Sequence, residues 1–293
     1  MNINPTPSVC IGNGRMGAYL HGRQLSLFGP PYSSPSPLDL TVEAPGHPTW
    51  RRLPQTAVWE SAYPLSSGTL VTTDACHPAL NCFVRHCNTD QEVTLTLRPS
   101  GTVASDRVQS FRLLPDTRPG AAFATLYYLR GGNCFYGRFA SPYDLYYHFI
   151  AEGNLSVEED GDGGYRITLR KGESDLYVIA GTDYATCDQV LGAIRGRTGR
   201  ELIDDTIADW QAYFARRTIG ALIPGRTPRR EEVLRAIEDI IVLIKTQQSV
   251  EGGVLAGTIY RLAYVRDMYG VFRGLLRVGC LEEARAILRY YID

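Results

Sequence analysis

Val93-Thr-Leu-Thr-Leu97 sets the character of the first 186 residues of this chain. Its valine and leucines occupy alternate positions with threonines between them, so one face of the strand is apolar and the other carries hydroxyls. A strand with one dry and one wet face belongs to an antiparallel sheet; strands of parallel sheets are covered on both faces and read as continuous apolar runs. Short runs bounded by turn residues recur on both sides of it, at 16–20, 24–28, 57–63, 69–74, 82–86, 122–129, 134–139, 145–151 and 165–170. No helical period separates them. Many strands without crossover helices predict an antiparallel β-sandwich over residues 1–186.

Bulk properties remove several classes of partner. The 293 residues carry 30 basic and 31 acidic side chains, a net charge of −1. No long-range field draws the chain to nucleic acid or to an anionic membrane. No 18-residue apolar stretch is present to span a bilayer, and MNINPTPSVC lacks the basic and apolar segments of a signal peptide. The expected location is the cytoplasm, with reduced thiols. The seven cysteines, Cys10, Cys76, Cys82, Cys87, Cys134, Cys187 and Cys280, are odd in number, irregularly spaced and without a CxxC pair. That pattern implies neither a disulfide framework nor a zinc site. Cys76–His77 and His86–Cys87 are adjacent pairs, and neighbours on a strand point to opposite faces, so no metal is expected there. The 18 tyrosines suit both half-buried sheet surfaces and sugar-stacking platforms.

Two motifs are set aside on physical grounds. Glu158-Glu-Asp-Gly-Asp-Gly-Gly164 superficially resembles a calcium loop, but it lacks the later ligands and precedes a strand, so a hairpin turn is expected. Gly12-Asn-Gly-Arg-Met-Gly17 spells a dinucleotide fingerprint, whose chemistry needs a helix next to receive the pyrophosphate. The next residues, Ala18-Tyr-Leu-His-Gly22, read instead as a strand ending in a turn. These glycines are expected to shape a strand–turn–strand, and no cofactor is expected.

From Cys187 the character turns helical, and residues 187–218 read as a linker. Asp188 is placed to cap a short helix through Ile194. A second helix over about 200–217 points Leu202, Ile203, Thr206, Trp210, Tyr213 and Phe214 to one side and Asp204, Asp205 and Asp209 to the other. After a loop, Thr227 and Pro228 offer an N-cap and a first helical position, with Glu231 and Glu232 complementing the dipole. The run Ile240-Ile-Val-Leu-Ile244 is apolar on every side and predicts burial all round. Two more helices are expected, one over about 267–278 stopped by Gly279, one from Leu281 towards Tyr291. Gly270 and Gly274, four apart, suit a tight helix crossing.

Between the third and fourth helices lies Gly252-Gly-Val-Leu-Ala-Gly-Thr-Ile-Tyr-Arg-Leu-Ala-Tyr-Val-Arg-Asp267, with only 26 residues after it. Glu251–Gly257 followed by Tyr260-Arg-Leu-Ala-Tyr-Val-Arg-Asp267 resembles the first active-site loop of bacterial glucoamylase-like glycoside hydrolases of family 15. CIGNGRMGAYLHGRQLSLFGPP resembles that family's opening β-hairpin, and the connector around Ala208-Asp-Trp210 its linker. The resemblance implies an N-terminal β-sandwich (supersandwich), a helical linker over 187–218, and the first helices of an incomplete (α/α)6 catalytic barrel over 219–293. A complete barrel of twelve helices takes on the order of 200 residues. The remainder of the barrel is then the missing partner of these helices.

The resemblance also assigns Arg266 and Asp267 to hydroxyls of the sugar beside the scissile bond. A rigid guanidinium fork donates and a carboxylate accepts, which together read vicinal hydroxyls. Tyr264 stands where the family often has a tryptophan as stacking wall. The implied activity is inverting hydrolysis of α-glucosidic bonds in oligo- or polysaccharides, one carboxyl protonating the leaving oxygen and another activating water. No catalytic residue is expected in this chain: Glu158–Glu159, Glu231–Glu232 and Glu282–Glu283 are adjacent pairs expected on solvated faces. Two alternatives stand beside it, a related sugar phosphorylase and a non-catalytic carbohydrate-binding or regulatory protein.

Overall fold

A computed structural model of the chain describes residues 8–29, 36–101, 103, 105–113, 120–132, 143–161, 163–217, 219–255 and 263–292. The strand expected at 134–139 and residues 256–262 of the active-site-like segment lie outside the described residues. Among the described residues, thirteen strands, paired antiparallel throughout, form one continuous sheet. A first meander comprises β1 (Ser8–Gly12), β2 (Gly17–His21), β3 (Gln24–Phe28) and β4 (Leu38–Val42), and β4 pairs with β9 (Val93–Pro99). A second comprises β5 (Thr49–Arg52), β6 (Trp59–Pro64), β7 (Thr69–Cys76) and β8 (Cys82–Thr89). A third runs β10 (Val108–Leu113), β11 (Ala121–Leu129), β12 (Leu145–Glu159) and β13 (Tyr165–Gly181).

The long β12–β13 hairpin joins the halves. Tyr165 to Leu169 pair with β9, whereas Gly172 to Ile179 pair with β8. At the change of partner, Gly153 (φ 114°) and Gly172 (φ 121°) take backbone angles that side chains resist, and the β12 register shifts between Gly153 and Leu155. The sheet curls there. Leu25, Leu40 and Leu97 of one half thereby share a core with Phe83, Phe149 and Val178 of the other. The antiparallel layout is as expected, and the acidic segment is the turn of this hairpin, with Glu159 opposite Tyr165.

The outer face of the β8–β13–β12 half is covered by α1 (Tyr184–Ile194) and α2 (Gly199–Ala215), which bury Val190, Ile194, Leu202 and Ile203 on Val84, Ile150 and Ile179. Helix α1 begins a turn earlier than expected: Asp183, not Asp188, is its N-cap and accepts from the Thr186 amide at 2.7 Å. Thr198 and Glu201 close a reciprocal capping box on α2. Among the described residues, no helix is long and apolar enough to cross a membrane.

A third core joins the second half of α2 to α3 (Arg230–Gln247), α4 (Val265–Arg277) and α5 (Leu281–Ile292) through Trp210, Phe214, Ile241, Met268, Leu275 and Ile287. Three expectations are corrected here. Thr227 does not cap α3; its amide bonds the Pro224 carbonyl at 3.0 Å, and Arg229, in the left-handed region at φ 53°, precedes the helix. The run 240–244 is not buried all round: Ile241 and Val242 are enclosed, but Ile240 is 56% and Leu243 49% exposed. Gly270 and Gly274 face open space, so neither sits at a helix crossing. Gly279 ends α4 as expected, at φ 75° with its amide on the Leu276 carbonyl.

Candidate functional site

The start of α4 is built from the loop before it. At the end of α3, Gln248 forms a bridge with Val254, and Ser249 donates to the Gly253 carbonyl at 2.7 Å. Gly252, at φ 109°, lies so close to α5 that a Cβ there would fall 2.1 Å from the Ala286 carbonyl oxygen, and Gly253 lies under the Tyr290 ring. The Val254 amide points to Met268 Sδ at 3.2 Å. The Tyr291 hydroxyl donates to the Ala263 carbonyl at 3.0 Å. The two glycines therefore permit a close approach of this loop to α5.

On this footing stand Tyr264, Arg266 and Asp267. Arg266 Nε donates to Asp267 Oδ1 at 3.3 Å. The Arg266 side chain is 92% exposed and Asp267 36%, so this pair is presented on the surface and not enclosed in a pocket. Asp267 lies in the first turn of α4, where the helix dipole favours its charge, but it makes no capping hydrogen bond. Tyr264, just before α4, and Tyr269, Tyr290 and Tyr291, on α4 and α5, are all exposed. Burial, with the neighbouring Tyr290 and Asp267, holds the Tyr291 hydroxyl above its ordinary pKa, so it remains an O–H donor. No sequence motif marks Tyr291; its place depends on how α5 packs on the loop. A guanidinium, a carboxylate and several tyrosines together offer donors, an acceptor and ring faces, the set that polyol recognition uses.

Beside this segment a cleft of about 310 Å³ separates the sheet from the helices, lined by Asn13, Gly14, Trp210, Lys245, Gln248 and Glu283 among others. Its β1–β2 side is the dinucleotide-like motif. Gly12 pairs with Gly17 across a hairpin, as expected. A Cβ on Gly12 would fall 2.2 Å from the Thr246 carbonyl oxygen, and one on Gly14 2.7 Å from that of Gln248. These glycines admit the end of α3, and the Val250 amide bonds the Gly14 carbonyl at 3.1 Å.

On the helical side, Glu283 corrects the expectation of a solvated face, being only 5% exposed. Arg217 Nη2 donates to both its oxygens at 3.1 Å, and Lys245 reaches it at 3.4 Å. Burial works against its charge, but Lys245, its own amide and Arg217 outweigh that and hold the carboxyl below the usual range. A carboxylate so paired ties the segment just after α2 to α3 and α5 and holds no proton to give at neutral pH. Glu158, Glu159, Glu231, Glu232 and Glu282 are exposed, as expected. Among the described residues, no three His, Cys, Asp or Glu side chains gather as metal ligands.

No family model and no curated protein sequence matches this chain. Solved structures do match it. A bacterial glucoamylase complexed with acarbose aligns with a TM-score of 0.67, covering 98% of this chain and 51% of that one at 9% identity. The fold is shared with a glucoamylase. A protein described as a putative kojibiose phosphorylase, from the human microbiome, aligns at a TM-score of 0.49 and 6% identity over 85% of this chain and 40% of its own. This chain thus spans about half the length of the glucoamylase it matches.

Proposed function

We propose that this chain is part of a carbohydrate-active enzyme of the glucoamylase-like type, family 15 of glycoside hydrolases, cleaving α-glucosidic bonds with inversion. Residues 1–186 are its β-sandwich domain, 187–218 its helical linker and 219–293 the first helices of its (α/α)6 barrel. Arg266 and Asp267 bind hydroxyls of the sugar beside the scissile bond, and Tyr264 supplies part of the ring-facing wall. The two catalytic carboxylates belong to parts of the barrel outside this sequence.

The observation that carries the reading is the Arg266–Asp267 pair set among exposed tyrosines at the start of α4, in a fold shared with a glucoamylase. A second observation supports the incomplete barrel. Thirteen exposed large hydrophobic side chains lie in the described part of 219–292, including Ile240, Leu243, Val265, Tyr269 and Ile292, against four in the described part of 8–217. This concentration of exposed apolar side chains supports the reading that further helices pack on this part of the chain. Hydrolysis of maltose by the protein from its complete reading frame, with and without Asp267→Asn, tests the assignment. Loss of one charge-assisted hydrogen bond lowers turnover roughly ten- to a hundredfold. An Asp267→Asn enzyme with wild-type turnover overturns the role given to that residue. Release of glucose from maltose by the 293-residue chain alone overturns the placement of the carboxylates.

A further inference from the structure

Arg266 and Asp267 stand on a helix end with few bonds of its own. No side chain caps α4, and Asp267, in its first turn, accepts from Arg266 and not from the amides beside it. A cap bond ordinarily satisfies and fixes that first turn. The Met268 amide bonds the Tyr264 carbonyl at 2.9 Å, which holds the turn only to itself. Among the described residues, one hydrogen bond joins 263–267 to another element of the fold. It is the bond that the Tyr291 hydroxyl of α5 donates to the Ala263 carbonyl at 3.0 Å.

Helix α5 is a firm post for that bond. Glu283, Ile287 and Tyr291 follow at intervals of four, which lines them along one face of the helix. The first two are buried, Glu283 paired with Arg217 and Lys245, and Ile287 in the core shared with α2, α3 and α4. The segment leading to α4 meets this helix at successive levels. Gln248 Nε2 donates to the Glu283 carbonyl at 3.0 Å, Gly252 lies against Ala286, and Gly253 lies under Tyr290. Tyr291 is the last of the series and reaches the peptide next to Tyr264. Burial, then Tyr290, then the Asp267 carboxylate raise its pKa, so the phenol lies within electrostatic reach of the pair.

We infer that Tyr291 is a positioning residue for sugar binding, whose hydroxyl holds the Ala263 carbonyl and so sets the turn from which Arg266 and Asp267 project. The inference rests on the carbohydrate reading above and gives a role to a side chain of α5 that need not touch the sugar. A misplacement of about 1 Å can cost about a hundredfold in rate. The bond therefore matters more to turnover than to stability.

Two measurements on Tyr291→Phe, which keeps the ring and removes the hydroxyl, test it. In the 293-residue chain, exchange of the Met268 amide is expected to quicken roughly two- to tenfold, with the melting temperature little changed because Tyr291 is exposed. Faster exchange throughout α4 and α5 alike overturns the inference, since the residue then supports the fold and not the turn. Maltose hydrolysis by the protein from the complete reading frame is then compared among wild type, Tyr291→Phe, Asp267→Asn and the double variant. Tyr291→Phe is expected to lower kcat/KM roughly two- to tenfold in the wild-type background and by a smaller factor beside Asp267→Asn, because it acts through the residue already lost. Equal factors in the two backgrounds overturn the inference. Wild-type kcat/KM in Tyr291→Phe also overturns it, while a loss in Asp267→Asn leaves the carbohydrate reading standing. If Asp267→Asn itself turns over as wild type does, the role of the pair falls and that of Tyr291 falls with it.

Discussion

Replacing Asp74 by alanine isolates the largest electrostatic commitment in the sheet. Arg85 and Asp74 face each other across β7 and β8, both 0% exposed, with Nε–Oδ1 at 2.7 Å and Nη2–Oδ2 at 2.9 Å. Burial disfavours the guanidinium charge, but the adjacent carboxylate more than offsets it and raises the Arg85 pKa. In Asp74→Ala that charge stays in the core with no counter-ion. Breaking a buried pair in this way costs about 3–5 kcal/mol. With a urea slope of roughly 3 kcal/mol/M for a chain of this size, the unfolding midpoint falls by roughly 1–1.7 M. Replacing both partners by apolar residues, Asp74→Leu with Arg85→Met, removes the desolvation cost along with the attraction, so most of the loss is recovered. Urea unfolding of wild type, the single variant and the double variant, read by circular dichroism, gives the three midpoints. A single variant with the wild-type midpoint, or a double variant no better than the single, refutes the reasoning.

Glu283→Ala strands Arg217 and Lys245; because Lys245 is about a third exposed, the cost falls below the fully buried range, about 2–4 kcal/mol, and shows as a lower melting temperature. Since the Glu283 carboxyl titrates below its unfolded value, that contribution is present at neutral pH and is lost as pH falls through the acid range. His148 acts in the same direction over a higher pH range: burial against α1, with neither ring nitrogen partnered among the described residues, lowers its pKa, so the folded state resists the proton that the unfolded chain takes up below about pH 6.5. Wild-type stability therefore falls on acidification, and His148→Phe removes up to about 1.4 kcal/mol per pH unit of that slope in denaturation curves taken between about pH 7 and 5. Gly12→Ala places a methyl group against the Thr246 carbonyl and is expected to speed amide exchange over residues 246–252 while leaving β7 and β8 protected.

Nine of the thirteen strands begin within two residues of where turn residues and apolar runs place them. Those left out or cut short have physical reasons. β5 and β10 are edge strands whose exposed faces carry little alternation, as Trp50-Arg51-Arg52 and Gln109-Ser110 show. β4 alternates cleanly at Leu38, Leu40 and Val42 but comes after a proline- and serine-rich stretch that reads as loop. The far half of β13 begins with Lys171-Gly-Glu-Ser-Asp175, a polar run that reads as a turn and is held as strand by its partners in β8 and β12. Helix positions were legible to within about five residues, the largest miss being the start of α1, because an apolar period runs through them. Their solvent exposure was not, since the burial of Ile240 or Glu283 depends on which helices surround them. The same holds for the sites. Arg266 and Asp267 carry a recognisable motif, whereas Tyr291 acquires its surroundings only when distant segments meet.

Glucose release from maltose by the protein of the complete reading frame tests most directly whether Asp267 and Arg266 hold a sugar for hydrolysis. Wild type is expected to release glucose, initially as the inverted anomer, and Asp267→Asn to do so roughly ten- to a hundredfold more slowly with an unchanged melting temperature. Equal rates for the two proteins, or no glucose from either, would contradict that role.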